Sequence, residues 1–145
     1  MIKIILWGRM LQMARKEEAV KLFKQGYNCA QAVLLVFRDV TGLDKETSLK
    51  LGSSFGGGLG RLGEVCGAVS GMLMVAGLLA GYTEQKDKEA HYQLVLTLVN
   101  NFMTEHDTLL CRDLLAKGMA GKKSLCTQAI TTAVELVEEL LLEKG

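Results

Sequence analysis

The stretch from Val65 to Tyr82 contains no charged side chain, and this feature constrains the fold more than any other. Such a run must be buried inside a protein or in a membrane, and its length is near the lower limit for a spanning helix, about 17 residues. It also contains Cys66, Ser70 and four glycines, and amphipathic segments lie on both sides of it. We therefore predict that it forms the buried central helix of a globular domain and does not span a membrane.

The rest of the chain predicts further helices around this central one. The 145 residues include no proline, so nothing removes a backbone hydrogen-bond donor from a helix. Aromatic residues make up only 6% of the chain, which suits helix packing better than a β-sandwich. We predict an all-α fold, with one compact, bundle-like domain of about five or six helices over residues 14–145. Residues 1–13 differ in composition, and we interpret them as an N-terminal arm or extension.

Capping residues set the predicted helix borders. Asn28 is a good N-cap, and Gln31 three residues later completes a capping-box pattern. Gly26 and Gly42 are typical of the residue that follows a helix. The predicted helices run over residues 14–25, 29–40, 44–51 (opened by Asp44), 66–80, 83–105 (capped by Thr83) and from Ser124 onward.

A glycine-rich segment precedes the central helix. Five of the eleven residues from Ser53 to Gly63 are glycine, which predicts a tight chain path that a Cβ atom would obstruct. A dinucleotide-binding loop requires a strand before it, and no strand is predicted here. A P-loop ends in Lys followed by Ser or Thr, and this segment lacks that ending. We interpret it as a loop that lets the backbone approach the cysteines closely.

Four cysteines are the candidate functional residues: Cys29, Cys66, Cys111 and Cys126. Cys29, Cys66 and Cys126 are predicted at the start of helices, and Cys111 in a turn that leads into a short helix. A helix N-terminus offers unpaired N–H groups and a partial positive charge, which favour the thiolate. The thiolate is the form that attacks disulfides and binds metals. A single free cysteine is more often a small buried hydrophobe, but the shared position of these residues predicts that they meet in one redox or metal site.

Three small residues follow Cys66 on the central helix. Gly67, Ala68 and Gly71 line one helix face with very little side chain. Another helix or a cofactor can then come close to the backbone. We therefore predict a close approach at these three residues, beside the cysteines.

Several segments together resemble a known protein family. They read GYNCAQAV (26–33), FGGG (55–58), CGAVSG (66–71) and CRDL (111–114), and Cys126 follows them. Together they are similar to the redox-active family C_GCAxxG_C_C, whose pattern is C…CGAxxG…C…C, over residues 14–142. The resemblance implies a redox role, with Cys29, Cys66, Cys111 and Cys126 as the family's four cysteines and Gly67, Ala68 and Gly71 as the small residues of its central motif. A related domain fused to a haem protein implies an iron–sulfur centre on these cysteines, whereas haem is not implied because no CxxCH motif is present.

Three functions remain open at this point. The first, which we favour, is a redox-active protein whose four cysteines bind an iron–sulfur cluster or another metal for electron transfer. The second is a metal-free thiol–disulfide protein, in which Cys111 with Cys126 or Cys29 with Cys66 are the candidate pairs. The third is a non-catalytic helical binding or assembly module with inert, buried cysteines. The sequence does not decide whether the protein is an enzyme.

Charge and targeting patterns limit the partners and the compartment. The net charge is +1 and no long block of one sign occurs, which disfavours nucleic acid as a partner. No secretory signal pattern is evident, so we predict the cytoplasm, where thiols are kept reduced. We expect a redox partner that the sequence does not identify, and a homo-oligomer stays open.

Overall fold

The computed structural model describes residues 14–117 and 122–144. Helices joined by turns and loops make up these ranges, and they contain no strand apart from an isolated antiparallel bridge between Val65 and Leu110. The all-α prediction is confirmed, and the predicted arm at residues 1–13 lies outside the described residues. The helices are α1 (14–24), α2 (Cys29–Val36), α3 (Arg38–Thr41), α4 (Lys45–Gly52), α5 (Gly56–Leu59), α6 (Gly67–Ala80), α7 (Lys88–His106), α8 (Cys111–Ala116) and α9 (Lys122–Lys144), with a 3₁₀ turn at Gln85–Asp87.

Helix α6 is the buried centre of the fold, as the charge-free run predicts. It packs mainly against α2 and α9. Val69, Met72 and Val75 lie on one face of α6 and are buried almost completely. Burial of a side chain of this size stabilises a protein by about 1.5–3 kcal/mol. The contacts among α2, α6 and α9 therefore supply most of the apolar core.

Helix α2 begins where the sequence predicts. The Asn28 side chain accepts a hydrogen bond from the Gln31 backbone N–H at 2.8 Å, and the Gln31 side chain accepts one from the Asn28 N–H at 3.0 Å. This capping box fixes the position of Cys29, the first residue of α2. The helix ends at Val36 and not at the predicted residue 40, because Phe37 leaves helical geometry while its side chain is fully buried.

Two other helix starts differ from the prediction. Thr83 does not open α7, because Gln85–Asp87 forms a 3₁₀ turn and α7 begins at Lys88. Ser124 does not cap the last helix, because α9 already includes Lys122. Lysine is a good helix former, so a helix can continue through this position without a serine cap.

The length of α6 bears on whether this helix could span a membrane. Helix α6 has 14 residues, whereas a spanning helix needs about 17–25. Across residues 14–117 and 122–144, no helix combines the length and the apolar character that crossing a membrane requires.

Candidate functional site

The four cysteines line one small cavity between α2, α6, α8 and α9. Cys29 and Cys111 are the first residues of α2 and α8, and Cys66 is the N-cap of α6. Cys126 lies in the second turn of α9 and not in the predicted first turn, because α9 begins no later than Lys122. The cavity has a volume of about 10 Å³. Its wall also includes Gly67, Leu114, Leu115, Leu125 and Ala129.

Two backbone hydrogen bonds join the starts of α6 and α8. The Cys66 N–H donates to the Leu109 carbonyl at 2.7 Å, and the Cys111 N–H donates to the Glu64 carbonyl at 2.7 Å. The two short segments therefore pair as neighbouring strands do. This pairing fixes Cys66 and Cys111 relative to each other, although they lie 45 residues apart in the sequence.

Residues 57–61, which overlap the short element α5, form a left-handed turn beside the cysteines and are not ordinary helix. All five have a positive φ, between 58° at Gly60 and 72° at Arg61. Leu59 and Arg61 are not glycine, and a left-handed conformation costs such residues about 1–2 kcal/mol each. Backbone strain of this kind persists only where surrounding contacts hold the chain, and it is frequent near functional sites.

Gly58 is the residue of this turn at which glycine is required. A Cβ atom there would lie 2.6 Å from the backbone N and O of Glu64 and 2.8 Å from the Cβ atom of Cys111. The backbone therefore approaches Cys111 too closely for any other residue. This is the close approach that the glycine-rich segment predicts.

Two glycines of α6 bring α2 close to the cysteines. A Cβ atom at Gly67 would lie 2.8 Å from the Phe55 carbonyl and 3.2 Å from the Cβ atom of Cys29. At Gly71 it would lie 3.0 Å from the backbone of α2. At Gly67 and Gly71 the close approach is thus made by neighbouring protein segments, and a cofactor at Gly67, Ala68 and Gly71 stays a prediction.

An open cleft of about 630 Å³ adjoins the cysteine cavity. This volume is within the usual range for small-molecule sites, about 300–1,000 Å³. Cys29, Cys111 and Cys126 line both the cleft and the cavity, whereas Cys66 lines the cavity alone. The charged side chains that line the cleft are Lys24 and Arg61, and no described acidic residue lines it.

The thiols of Cys29 and Cys126 form a hydrogen-bonded pair. The Cys29 thiol donates to the Cys126 sulfur, and this bond lowers the pKa of Cys126 to about 7. The same bond, together with burial, raises the pKa of Cys29. The shared hydrogen bond therefore favours the thiolate at Cys126 and the protonated thiol at Cys29. The sequence predicts a thiol of lowered pKa, but the cause is a partner thiol and not a helix N-terminus.

Burial keeps the other two thiols protonated. Cys66 is 5% exposed, and burial raises its pKa to about 11, although the nearby N–H groups of Ala68 and Val69 oppose this. Burial, with a contribution from Cys126, also raises the pKa of Cys111. Cys126 is therefore the thiol among the four whose lowered pKa favours its action as a nucleophile.

The four thiols do not fit a metal cluster in this arrangement. In the described part of the chain, no group of three or more His, Cys, Asp or Glu side chains is spaced to hold a metal ion. The cavity of about 10 Å³ is at the lower limit for a single water molecule, about 10–15 Å³. A cluster of several iron and sulfur atoms needs more space than this cavity provides.

The sequence analysis identified the four cysteines but not which of their thiols are in contact. For a metal-free protein it gave Cys111 with Cys126 or Cys29 with Cys66 as candidate pairs, and these pairings stay predictions. The structure shows a hydrogen bond between Cys29 and Cys126, since α2 packs against α9. None of the four forms a disulfide. Sequence reasoning also missed Lys24, whose charge looks like an ordinary solvated end of α1. The available signal was its position immediately before the turn that leads to Cys29.

Comparison with known proteins identifies a family. The model of the family described as "Putative redox-active protein (C_GCAxxG_C_C)" matches residues 27–140, a range that includes all four cysteines and the left-handed turn. The comparison with curated proteins and the comparison with solved structures each returned no significant match. Because the match covers most of the sequence, the chain belongs to this redox-active family.

Proposed function

We propose that this member of the redox-active family works by thiol–disulfide exchange, with Cys126 as the attacking thiol and Cys29 as the resolving thiol. The observation that carries the proposal is the hydrogen-bonded pair of thiols on the wall of an open cleft. The most effective attacking thiol has a pKa near the ambient pH, and the pKa of Cys126 is lowered to about 7. We place this chemistry in the cytoplasm, where a reduced thiol pair is the resting state.

The reaction begins at Cys126. Its thiolate attacks a disulfide RSSR in the cleft, a bond forms between the Cys126 sulfur and one sulfur of RSSR, and the other leaves as RS⁻. The Cys29 thiolate then attacks the Cys126 sulfur of the mixed disulfide and expels the second RS⁻. The two thiolates released take up the proton of Cys29 and one from solvent. The two cysteines are oxidised to a disulfide, and RSSR is reduced to two RSH.

The hydrogen bond also explains the order of the two steps. The largest cause that raises the pKa of Cys29 is its bond to the Cys126 sulfur. That sulfur carries no charge once it belongs to a mixed disulfide. The mixed disulfide therefore removes the largest cause that raises the pKa of Cys29, while burial still raises it, so we propose that Cys29 acts second.

Iron–sulfur binding is the second candidate function. The observation that favours it is that all four cysteines line the same cavity. Thiolate ligands suit both [2Fe–2S] and [4Fe–4S] clusters. The small volume of the cavity and the spacing of the thiols speak against it.

The test is to oxidise the reduced protein with a small disulfide and to map the product by peptide mass spectrometry. We expect a Cys29–Cys126 disulfide, formed at a rate that rises between pH 6 and 8 with the ionisation of Cys126. Cys126→Ser should abolish the reaction. Cys29→Ser should stop it at a mixed disulfide on Cys126.

Cys66→Ala is the matched control, because Cys66 lines the cavity but not the cleft. This variant should still form the Cys29–Cys126 bond. The proposal is wrong if oxidation pairs other cysteines. It is also wrong if anaerobically purified protein carries a stoichiometric iron–sulfur absorption band and none of its cysteines forms a disulfide.

A further inference from the structure

Apart from the Cys126 thiolate, the charged side chains that line the cleft are all cations. Lys24 contributes a cation from the end of α1, and Arg61 contributes another from the left-handed turn. Every other described side chain that lines the cleft is neutral or a cysteine. Lys24 and Arg61 therefore raise the local concentration of anions at the thiols.

Both cations are available to a ligand. Within residues 14–117 and 122–144, neither Lys24 nor Arg61 forms an ion pair or a side-chain hydrogen bond, whereas Arg112, also near the site, is paired with Glu64 at 3.1 Å. The backbone of Arg61 is left-handed, with φ of 72°. A residue kept in a strained conformation beside reactive thiols, with its charge unpaired, suggests a role towards a bound molecule.

The rest of the lining suits a small organic molecule. Phe23 and Leu115 add apolar surface, and Tyr27 and Ser53 add hydroxyl groups. The volume of about 630 Å³ accommodates a compound of drug-like size, within the range of about 300–1,000 Å³. A disulfide with charged ends matches this combination of apolar walls, cations and thiols.

We infer that the cleft binds small disulfides that carry carboxylate groups, and that Lys24 and Arg61 select them over neutral and cationic disulfides. This inference rests on the proposed function, because it concerns the RSSR that Cys126 attacks. The carboxylates pair with Lys24 and Arg61 while the central sulfur–sulfur bond lies against Cys126. The electron balance is that of the exchange already described, and the anionic disulfide is the oxidant.

The test uses three disulfides with the same two-methylene arms, whose end groups differ in charge. They are 3,3′-dithiodipropionate with two negative charges, bis(2-hydroxyethyl) disulfide with none, and cystamine with two positive charges. The rate of Cys29–Cys126 disulfide formation is measured with each and divided by the rate of the same compound with a free cysteine derivative. We expect the normalised rate to be about tenfold higher for the dianion than for the neutral compound, since two cations at contact distance act on it. The preference should shrink in high salt.

Charge-removing variants locate the effect. Lys24→Gln combined with Arg61→Gln should reduce the normalised rates of the dianion and the neutral compound to within about twofold of each other. Lys45→Gln is the matched control, because it removes one exposed cation that does not line the cleft, and it should keep the preference.

The outcomes separate this inference from the proposed function. If the wild type forms the Cys29–Cys126 disulfide at equal normalised rates with all three compounds, the inference is wrong and the proposed function stands. The same conclusion follows if the double variant keeps the tenfold preference. If none of the three compounds produces the Cys29–Cys126 disulfide, the proposed function itself fails, and the inference fails with it.

Discussion

The two ends of helix α6 are built from similar residues but have opposite surroundings. At the N-terminal end, a Cβ atom on Gly67 or Gly71 would meet another segment at 2.8 or 3.0 Å. At the C-terminal end, no atom lies within 4 Å of such a Cβ atom on Gly77, and Leu78 is 47% exposed. The same residue type, glycine, allows close packing at one end and leaves open space at the other.

This difference shows which glycines of α6 the cysteine site depends on. Gly67 and Gly71 let α2 and the Phe55 carbonyl come close to α6, so that Cys29 lies beside the cavity. Gly77 makes no such contact and only weakens the helix, because glycine in a helix interior is less favourable than alanine by about 1 kcal/mol. The N-terminal end of α6 is therefore the part whose geometry the site depends on.

The largest expected effect comes from valine at the N-terminal end. Gly67→Val places a branched side chain against the Phe55 carbonyl and the Cβ atom of Cys29, where the backbone cannot give way easily. We expect a loss of about 3 kcal/mol in the free energy of unfolding, the upper part of the usual range for overpacking. Urea denaturation measures it. The displaced Cys29 should also slow formation of the Cys29–Cys126 disulfide.

Gly77→Val is the matched control in the same helix. A valine there meets no neighbouring segment, so the free energy of unfolding should change by less than about 0.5 kcal/mol, as is usual for open positions. Equal destabilisation by the two valine substitutions would remove the contrast between the two ends of α6.

The next effect concerns pH and Cys66, the buried thiol at the N-terminal end of α6. Burial raises the pKa of Cys66 from 9.0 to about 11. A thiol whose folded pKa is raised contributes stability that is present below pH 9 and is lost as the pH rises from 9 to 11, because the unfolded thiol ionises first. We expect the stability difference between wild type and Cys66→Ala to shift by about 2 kcal/mol over this window. Urea denaturation at several pH values tests this. If the stability difference between wild type and Cys66→Ala stays constant from pH 8 to 11, the Cys66 thiol is accessible to solvent.

A smaller effect, a gain in the free energy of unfolding, is expected at the C-terminal end of α6. Gly77→Ala should raise the free energy of unfolding by about 0.5–1 kcal/mol, because alanine is the better helix former and the added methyl group meets nothing. Thermal denaturation detects this as a higher melting temperature. A loss of stability instead would mean that Gly77 packs against something in solution, such as a second copy of the chain.

The smallest effect is expected at the exposed leucine. Leu78→Gln replaces a side chain that is 47% exposed, and such surface substitutions usually change stability by less than about 0.5 kcal/mol. The rate of disulfide formation should also be unchanged. A loss greater than about 1 kcal/mol would show that the C-terminal end of α6 is covered in solution and would weaken the comparison.

Features that depend on near neighbours in the sequence could be predicted. The capping box at Asn28 and Gln31 formed as expected, because both partners lie within one helical turn. The charge-free run became the buried helix α6, since burial follows directly from composition. The meeting of the four cysteines was expected from predicted helix starts at Cys29, Cys66 and Cys126. Cys29 and Cys66 do lie at such starts, whereas the third is Cys111 and not Cys126.

Features that depend on packing between distant segments could not be predicted. The contact between Cys29 and Cys126 arises because α2 lies against α9, and neither helix carries a local signal for it. The start of α9 was misplaced because Ser124 has the chemistry of a cap but lies inside the helix. The left-handed turn includes Leu59 and Arg61, which disfavour that conformation, so propensity alone argues against it.

The left-handed turn at residues 57–61 has a stereochemical consequence. Its backbone is locally close to the mirror image of an ordinary helical turn, with φ of 58° and ψ of 39° at Gly60. D-amino acids prefer the region that L-amino acids avoid. In a chemically synthesised chain, D-alanine at Gly60 would match the turn, while L-alanine would strain it. At Gly60 an added Cβ atom meets nothing within 4 Å, so the chirality of the residue, and not contact of its side chain, sets the cost of substitution there.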